Sequence, residues 1–441
     1  MKKLIILSLV FLLVLSVAVP GMAKVVVNFW TRPSIKVEGL ELGEYEQRIV
    51  DEFEALYPEV DIVLEMIAYI SGQNKVDFNI AAGTPPDISC CNLANMLNHQ
   101  NAGLLLDFED ILTAEYKAGF NEGVLDAISV DGKLYYYPMG SRPSCMAINR
   151  TIAEKAGALD LLPLDRPDRS WTAEEFKAYL IKVAEAKLPG IFSFVMNFAD
   201  ATSHHHWRIV LLQGFGAKMF TLIDGKYVCT VNSPEAAEGI KFYIDIYNNY
   251  PGVFPKGMEN IGCLEADTLW CEGRLGSFGG ALNVLINSRI KEDSENRGVT
   301  IVPYPTKEGI KNMVPTDWCG FEVFDTGDLE RGKYAKLFVK YFVDNGPDLA
   351  GANYNTFPVH EDMAWPEVFK KYTDNIDFKW GMEYLPKYIV DTDSGTPVYK
   401  QFAEIFRATM QGVIIGELTA EEGLKIVEDK TNKALDEYYA E

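Results

Sequence analysis

Apolar positions along the first part of the chain follow two alternating periods. A buried-strand pattern over Val25–Trp30 precedes an amphipathic helix pattern over Glu44–Tyr57, in which apolar residues recur every three or four positions. A second strand pattern over Val60–Ile67 precedes a helix pattern over Asn74–Ala82, which ends at a glycine. Strands and helices that alternate with short connections are typical of an α/β fold with a mostly parallel sheet. We predict that architecture here.

The alternation continues through the rest of the chain. Thr172 and Glu175 form the capping-box pattern that begins a helix, and Thr419 and Glu422 repeat it near the carboxyl terminus. An uninterrupted helix pattern covers Leu329–Asp344. Because no low-complexity linker separates these elements, we predict two α/β lobes in close contact.

One stretch, from Asp131 to Arg150, breaks the pattern. An apolar and aromatic run ends at Tyr137, and a second strand-like run covers Cys145–Ile148. The residues between the two runs include Pro138, Gly140 and Pro143. A strand that stops, bends through glycine and proline and resumes predicts a crossover between two packed bodies. An ordinary hairpin or edge strand is the alternative.

The first 23 residues are typical of an export signal. Lys2 and Lys3 precede an apolar run of about 16 residues, fewer than the roughly 20 that a membrane-spanning helix needs. Gly21-Met22-Ala23 then predicts a cleavage site. An uncleaved amino-terminal anchor is the alternative, and a lipoprotein is disfavoured because no cysteine lies near the cleavage site. We predict a soluble protein that is exported to the periplasm or the extracellular medium.

Net charge excludes two classes of partner. The 441 residues carry a formal net charge of −22, and loss of residues 1–23 with their two lysines changes it to −24 (−22 − 2). Such a chain repels nucleic acid and anionic membrane surfaces, and it suits a freely diffusing monomer. The remaining 418 residues (441 − 23) exceed one ordinary core, so we predict at least two domains.

Motifs for catalysis and metal binding are weak. Gly214-Phe-Gly-Ala-Lys-Met219 begins like a dinucleotide-binding motif but has methionine where the third glycine belongs. Adjacent histidines, His204-His205-His206, cannot all point in one direction, which argues against a tridentate metal site. The seven cysteines are an odd number and too sparse for a disulfide scaffold. We predict no enzymatic activity, no metal and no cofactor. An exported metal-dependent hydrolase built on the three histidines is the remote alternative.

Aromatic and polar residues stand instead at the ends of predicted strands. These are Trp30 and Arg32, Tyr69, the crossover residues around Arg142, and Asp317 and Trp318. In open α/β sheets the ligand crevice lies outside the carboxyl ends of the strands. Aromatic faces stack on sugar rings there, while polar side chains and main-chain groups bind hydroxyls. Each single aromatic residue is at least as often part of the core.

Short motifs along nearly the whole mature chain, in this order and spacing, resemble the bacterial extracellular solute-binding proteins of family 1, the sugar-binding subunits of ABC importers. The best single match is Ala81-Ala-Gly-Thr-Pro-Pro-Asp-Ile88, in which we expect Asp87 to cap a loop. Other matches include Phe29-Trp30-Thr31, Asp131-Gly-Lys-Leu-Tyr135 and Ser170-Trp171-Thr172. The chain departs from the family pattern at residues 204–207 and beside Gly279-Gly280, which leaves the ligand's identity open.

The resemblance implies a type II periplasmic-binding-protein fold, in which two discontinuous α/β lobes surround a hinged cleft. Crossovers near Met139, Tyr304 and Tyr354 would divide the chain after a signal peptide over residues 1–23. The amino-terminal lobe would then comprise residues 24–138 plus 305–353, and the carboxyl-terminal lobe residues 140–303 plus 355–441.

The resemblance also implies a function and a set of ligand-binding residues. The protein would capture a mono- or oligosaccharide by hinge closure and deliver it to the permease subunits of an ABC importer, without making or breaking a bond. A polyamine, a peptide or a phosphorylated polyol is the alternative ligand for the same fold. With Arg32 added from the strand-end pattern, the residues expected to face the cleft are Trp30, Arg32, Tyr69, Ser141, Arg142, Trp207, Gly280, Asp317, Trp318 and Tyr354.

Overall fold

The computed structural model describes most of the chain in twelve segments. They are residues 24–32, 35, 39–68, 72–120, 124–199, 211–279, 298–344, 359–361, 380–381, 383–384, 388–390 and 396–440. The predicted signal peptide lies outside these residues. Within them, no helix is both long enough and apolar enough to cross a bilayer.

A mixed sheet forms the centre of the first lobe. β1 (Val25–Thr31) has two parallel neighbours, β2 (Val60–Met66) and β3 (Ile88–Asn92). β12 (Val314–Val323) runs antiparallel to β3, and β6 (Tyr137–Pro143) runs antiparallel to β12 on its other side. The order is therefore β2-β1-β3-β12-β6. The strands β1, β2, β3 and β6 point the same way, and their carboxyl ends form what we name the first carboxyl edge.

Helices cover both faces of this sheet. α1 (Glu44–Leu56) and α10 (Leu329–Asp344) lie on the face that Phe29 occupies, and α2 (Gly72–Ala81) and α3 (Leu93–Asn101) lie on the other. The Phe29 ring meets three other rings edge-on at centroid distances of 5.6, 5.1 and 5.6 Å, those of Phe321, Phe338 and Phe342. Shorter elements complete the lobe: α4 (Ala114–Ala118), α5 (Val124–Ile128), β4 (Ser129–Val130) and β5 (Lys133–Leu134).

Asp87, in the loop before β3, ties this lobe together. Its carboxylate is 1% exposed and accepts hydrogen bonds from the Asn28 backbone N–H at 2.7 Å and from Arg331 Nη2 at 2.6 Å. Asp87 thus fixes its loop to β1 and to α10, which agrees with the loop-capping role expected from the sequence.

The second lobe is built on a smaller antiparallel sheet. β7 (Met146–Asn149) lies between β10 (Ser277–Gly279) and β11 (Val299–Val302). Successive β7 residues enter opposite cores, because Met146 and Ile148 pack in one apolar cluster and Ala147 in another. The other elements of the lobe are α6 (Arg150–Lys155), α7 (Ala173–Glu185), α8 (Pro234–Asn249), α9 (Cys263–Cys271), α11 (Tyr399–Ile414), α12 (Ala420–Ala440), β8 (Phe220–Ile223), β9 (Lys226–Cys229) and β13 (Ile389–Val390).

Both predicted capping boxes are confirmed. Glu175 Oε2 accepts from the Thr172 backbone N–H at 2.7 Å, and Thr172 Oγ1 accepts from the Glu175 N–H at 3.2 Å. Thr419 and Glu422 make the same reciprocal pair at 2.9 and 3.1 Å before α12. The predicted helix over Leu329–Asp344 has those bounds in the structure. Local capping chemistry therefore determines these helix starts.

The strand at the crossover differs from the sequence prediction. The pattern predicts that a strand ends at Tyr137, whereas β6 begins at Tyr137 and runs through the glycine and the prolines to Pro143. Pro138 lies opposite Gly320, where the register of β6 against β12 shifts. A β-bulge leaves a residue out of the hydrogen-bond ladder, so a proline without an N–H is accommodated there.

Side-chain packing and strand pairing indicate where the chain passes from one lobe to the other. The lobe boundaries stay predictions. Tyr304 is buried in the core of the second lobe, and Asn312 Nδ2 donates to the carbonyls of Trp171 and Tyr304, both at 2.8 Å. Val359 packs in the core of the first lobe. The first two residues of β12 pair with β13, and the rest pair with β6 and β3. These contacts favour a change of lobe within β12 rather than near Tyr304.

Candidate functional site

The carboxyl ends of strands from both lobes meet at the crossover. β6 ends at Pro143, and β7 begins two residues beyond Ser144. Gly279 and Val302, the last residues of β10 and β11, both pair with Met146, the first residue of β7. The Ser144 N–H also donates to the Pro315 carbonyl at 2.7 Å. The second lobe's strand ends therefore lie beside the first carboxyl edge, where α/β proteins place ligands.

Four of the predicted site residues come together on two adjacent strands. Ser141 pairs with Trp318, and Arg142 pairs with Asp317, in the β6–β12 ladder. Neighbouring strands lie about 4.8 Å apart and side chains alternate between the two faces of a sheet, so the four backbone positions are close and Ser141 shares a face with Trp318. Ser141 is 3% and Trp318 7% exposed. Both residues are therefore buried in this structure.

Trp30, at the end of β1, has a different environment from the one predicted. Lys75 Nζ lies 4.1 Å from the centroid of the indole ring and forms an ion pair with Glu65. One face of the Trp30 ring is thus covered by a cation–π contact and is not open for stacking.

The two tryptophans also lie apart. Trp30 pairs with Ser89, and Ser89 pairs with Glu322, which stands four residues beyond Trp318 on β12. Four residues of strand span about 13 Å, and two strand spacings add about 10 Å across the sheet. Trp30 and Trp318 therefore do not form a single stacking surface.

Arg32 is held by a side chain of α2, which in turn contacts a side chain of α3. Gln73 Oε1, in the first turn of α2, accepts from Arg32 Nη2 at 2.9 Å and from Asn95 Nδ2 at 2.7 Å. The other end of the same amide donates from Nε2 to Asp77 Oδ1 at 2.8 Å. Because its oxygen accepts twice and its nitrogen donates, the Gln73 amide has one favoured orientation.

A buried histidine continues this chain of contacts into the core. His99 Nδ1 lies 2.8 Å from Glu322 Oε2, and His99 Nε2 lies 3.8 Å from Asp77 Oδ1. The Glu322 side chain is fully buried. Burial of the ring by itself lowers the pKa of His99, but its contacts with the carboxylates of Asp77 and Glu322 outweigh it and raise the pKa to about 9. His99 is therefore a cation at neutral pH.

We expect the stability of the first lobe to depend on the charge of His99. Its pKa rises from 6.5 in the unfolded chain to about 9 in the folded one. The resulting stabilisation, about 2 kcal/mol for hydrogen bonds to charged groups, is fully present below pH 6.5 and lost as pH rises through about 9. Denaturant unfolding between pH 6 and 10 measures this loss. His99→Gln should flatten this part of the profile, and an unchanged profile in that variant would contradict the assignment.

Some predictions fall outside the described residues. These are the ligand positions Tyr69, Trp207, Gly280 and Tyr354 and the run His204–His206. In the part of the chain that is described, no group of three or more histidine, cysteine or acidic residues is arranged to hold a metal ion.

Sequence reasoning missed Gln73, Lys75 and Asn95 at the first carboxyl edge. Each stands in the first turns of a helix that directly follows a strand, α2 after β2 and α3 after β3. In a parallel α/β sheet, helix starts lie at the same edge as strand carboxyl ends. Polar residues at helix starts were therefore the available signal.

An apolar cavity of about 50 Å³ lies within the second lobe between α8 and α11. Its walls include Ile240, Tyr243, Phe406 and Met410, and none of the predicted ligand residues that the structure describes lines it. Such a lining provides few partners for hydroxyl groups, so the cavity does not suit a sugar.

Several known proteins are similar to this chain in sequence or in fold. A curated binding protein of Brucella abortus (strain 2308) is 23% identical over 274 residues, 62% of this chain. The chain matches 62% of that protein's own length. An ABC substrate-binding protein of Listeria monocytogenes in complex with cycloalternan superposes with a TM-score of 0.69 at 18% identity, covering 94% of this chain and 99% of the other. A solute-binding protein of Thermotoga lettingae bound to α-D-tagatose gives 0.69 at 20% identity, covering 93% and 100%.

These superpositions confirm the predicted two-lobe α/β periplasmic-binding-protein fold. The sequence profile of the bacterial extracellular solute-binding proteins matches residues 38–346, which confirms the resemblance stated from the motifs. The chain belongs to the bacterial extracellular solute-binding protein family.

Proposed function

We propose that this protein is the substrate-binding protein of an ABC importer and that it captures a mono- or oligosaccharide for delivery to the permease subunits. The observation that carries the proposal is the meeting of strand carboxyl ends from both lobes at the crossover, beside the group formed by Ser141, Arg142, Asp317 and Trp318. Family membership and the sugars bound by the similar Listeria and Thermotoga proteins support it.

The work of such a protein is conformational and involves no reaction step. A ligand that contacts both lobes favours the closed state, because those contacts exist together only when the lobes approach. Micromolar affinity requires about −8 kcal/mol, which stacking and satisfied hydroxyl groups supply. We include in the proposal export through a cleaved signal peptide without a lipid anchor, a periplasmic or extracellular location and a monomeric state.

The composition of the first carboxyl edge favours a sugar over a polyamine. Trp318 pairs with Ser141 in the β6–β12 ladder, which places an aromatic ring beside a hydroxyl group, a combination that suits a sugar. Lys75, already paired with Glu65, adds a cation at the same edge. A polyamine would be favoured by carboxylates alone opposite the aromatic residues.

A thermal-shift screen of the chain from Lys24 to Glu441 tests the ligand class. The panel comprises glucose, D-tagatose, maltose, maltotriose, larger oligosaccharides, spermidine and amino acids. A sugar at a hundredfold excess over its dissociation constant should stabilise the folded state by about 2.7 kcal/mol and raise the melting temperature. Shifts with spermidine alone would replace the carbohydrate by a polyamine, and no shift with any sugar at millimolar concentration would contradict the proposal.

Trp318→Phe tests the position of the site. The smaller ring preserves an aromatic core but removes stacking area and the indole N–H, so we expect sugar affinity to fall about tenfold. Trp270, 6% exposed and stacked on Phe278 in the second lobe, provides the matched control. Isothermal titration of both variants decides: equal losses in Trp318→Phe and Trp270→Phe would indicate a general effect on the fold.

A further inference from the structure

We propose that the side chains of Arg32, Gln73, Asp77, His99 and Glu322 act as a positioning relay for the ligand-binding edge, so that the protonation of His99 controls ligand affinity. The inference rests on the proposed function. None of these residues except Arg32 is expected to touch the ligand.

Consecutive side-chain contacts of the relay connect the buried core of the first lobe to the first carboxyl edge. Glu322 on β12 contacts His99, His99 contacts Asp77, Asp77 accepts from Gln73, and Gln73 accepts from Arg32. The distances along it are 2.8, 3.8, 2.8 and 2.9 Å. Exposure rises in the same order, from a fully buried Glu322 to an Asp77 side chain that is 46% exposed. A change at the buried end is therefore carried to Arg32 by consecutive contacts.

Two side-chain contacts, one helical turn apart, join α2 to α3. Gln73 and Asp77 are four residues apart on α2, and Asn95 and His99 are four residues apart on α3. Residues at this spacing lie on one helix face, one turn apart. The two contacts are those of Gln73 with Asn95 at 2.7 Å and of Asp77 with His99 at 3.8 Å. Loss of one contact lets the helices turn about the other.

The charge on His99 maintains the contact between His99 and Asp77. Asp77 on α2 and Glu322 on β12 both face the imidazole, and the Phe324 ring lies 5.3 Å from it. Cys91 on β3 lies near Glu322, and Lys400 on α11 acts on the charge of Asp77. A neutral imidazole has one N–H, so it cannot donate to both carboxylates. Glu322 would then remain buried beside a neutral ring, which is unfavourable.

Affinity measured against pH tests the relay, with maltotriose and D-tagatose as probes. In the unaltered protein, affinity should be constant near neutral pH and fall about tenfold by pH 10, the effect of one lost hydrogen bond to a charged group. In Gln73→Ala, affinity should already be about tenfold weaker at pH 7 and no longer depend on pH. The melting temperature of this variant should keep its pH dependence, because His99 and Glu322 remain paired.

Gln47→Ala is the matched control. Gln47 Nε2 donates to Asp51 Oδ1 at 2.8 Å, four residues on along α1, the same local bond as Gln73 makes with Asp77 but outside the relay. It should leave affinity and its pH profile unchanged. Unchanged affinity in Gln73→Ala, or a retained pH dependence, would overturn the proposal.

A second readout needs no ligand and separates this inference from the proposed function. Hydrogen exchange of the amides of residues 72–81 at pH 7 should be about tenfold faster in Gln73→Ala and in His99→Gln, while exchange in α12 stays the same. Faster exchange without any sugar binding would retain the relay and reject the carbohydrate. Unaltered exchange in residues 72–81 would reject the relay, whatever the sugars do.

Discussion

Replacing Gly320 with alanine is expected to lower the free energy of unfolding by about 3 kcal/mol or more, the upper range for overpacking a well-packed site. A Cβ at this position would lie 2.3 Å from the Tyr137 carbonyl oxygen and 2.9 Å from Pro138 Cα. Both are backbone atoms of β6, so no side-chain rotation relieves the clash. Relief requires that β6 move away from β12 where the two strands are paired.

Denaturant unfolding followed by circular dichroism measures this effect, and Gly412→Ala provides the control. Gly412 lies within α11, and its added Cβ would approach no atom closer than 3.4 Å. Alanine in a helix is favoured over glycine by about 1 kcal/mol, so the control should be neutral or slightly stabilised. Similar losses in the two variants would contradict the steric argument. Gly320→Ala should also weaken sugar binding, because the same strand pair aligns Ser141 with Trp318.

Replacing Asp87 with alanine is expected to cost about 3 kcal/mol, the loss seen when one member of a buried ion pair is removed. The variant leaves the Asn28 backbone N–H without its acceptor and Arg331 without its carboxylate. The Arg331 side chain is 30% exposed, so water compensates for part of the lost pair, which places the effect at the lower end of the range.

Asp429→Ala is the control for charge removal alone. Asp429 pairs with Lys425 one turn earlier in α12, and both side chains are at least 60% exposed. Exposed pairs at this spacing contribute about 0.5 kcal/mol or less. A loss in Asp87→Ala no larger than in Asp429→Ala would show that burial of Asp87 adds nothing.

Elements defined by local sequence were predictable. The strand predicted over Val25–Trp30, the helix over Leu329–Asp344 and both capping boxes follow from apolar period and capping residues within one or two turns. The α/β class follows from their alternation, and the motif order led to the family. Long-range pairing was not available to such reasoning. The first half of β12 contains Pro315, Thr316 and Asp317, which have no strand pattern, yet it is a strand because β6 and β13 pair with it.

In the candidate site, too, the positions of some residues were predictable from the sequence, whereas their side-chain partners were not. Ser141 and Trp318 were predicted from strand ends and family position, and the β6–β12 register brings them together. Trp30 was predicted as a stacking surface, but only the structure shows Lys75 over its ring. The contact between His99 and Glu322 joins residues 223 positions apart in the sequence, so no local pattern could predict it. Side-chain partners across a fold depend on register, which hydrophobic periodicity leaves undetermined.

The crossover described above has a mechanical consequence. We predict that the chain passes between the lobes at Ser144 and again at Pro315, and a backbone hydrogen bond joins these two residues. Two tied strands form a ribbon, which bends readily about an axis lying in its own plane but resists shear and in-plane rotation. We therefore expect the lobes to open and close about one axis through this ribbon, with little sliding. Trp318 would then lie close to the axis, where closure moves atoms least, and residues at the far rim of the cleft would travel furthest.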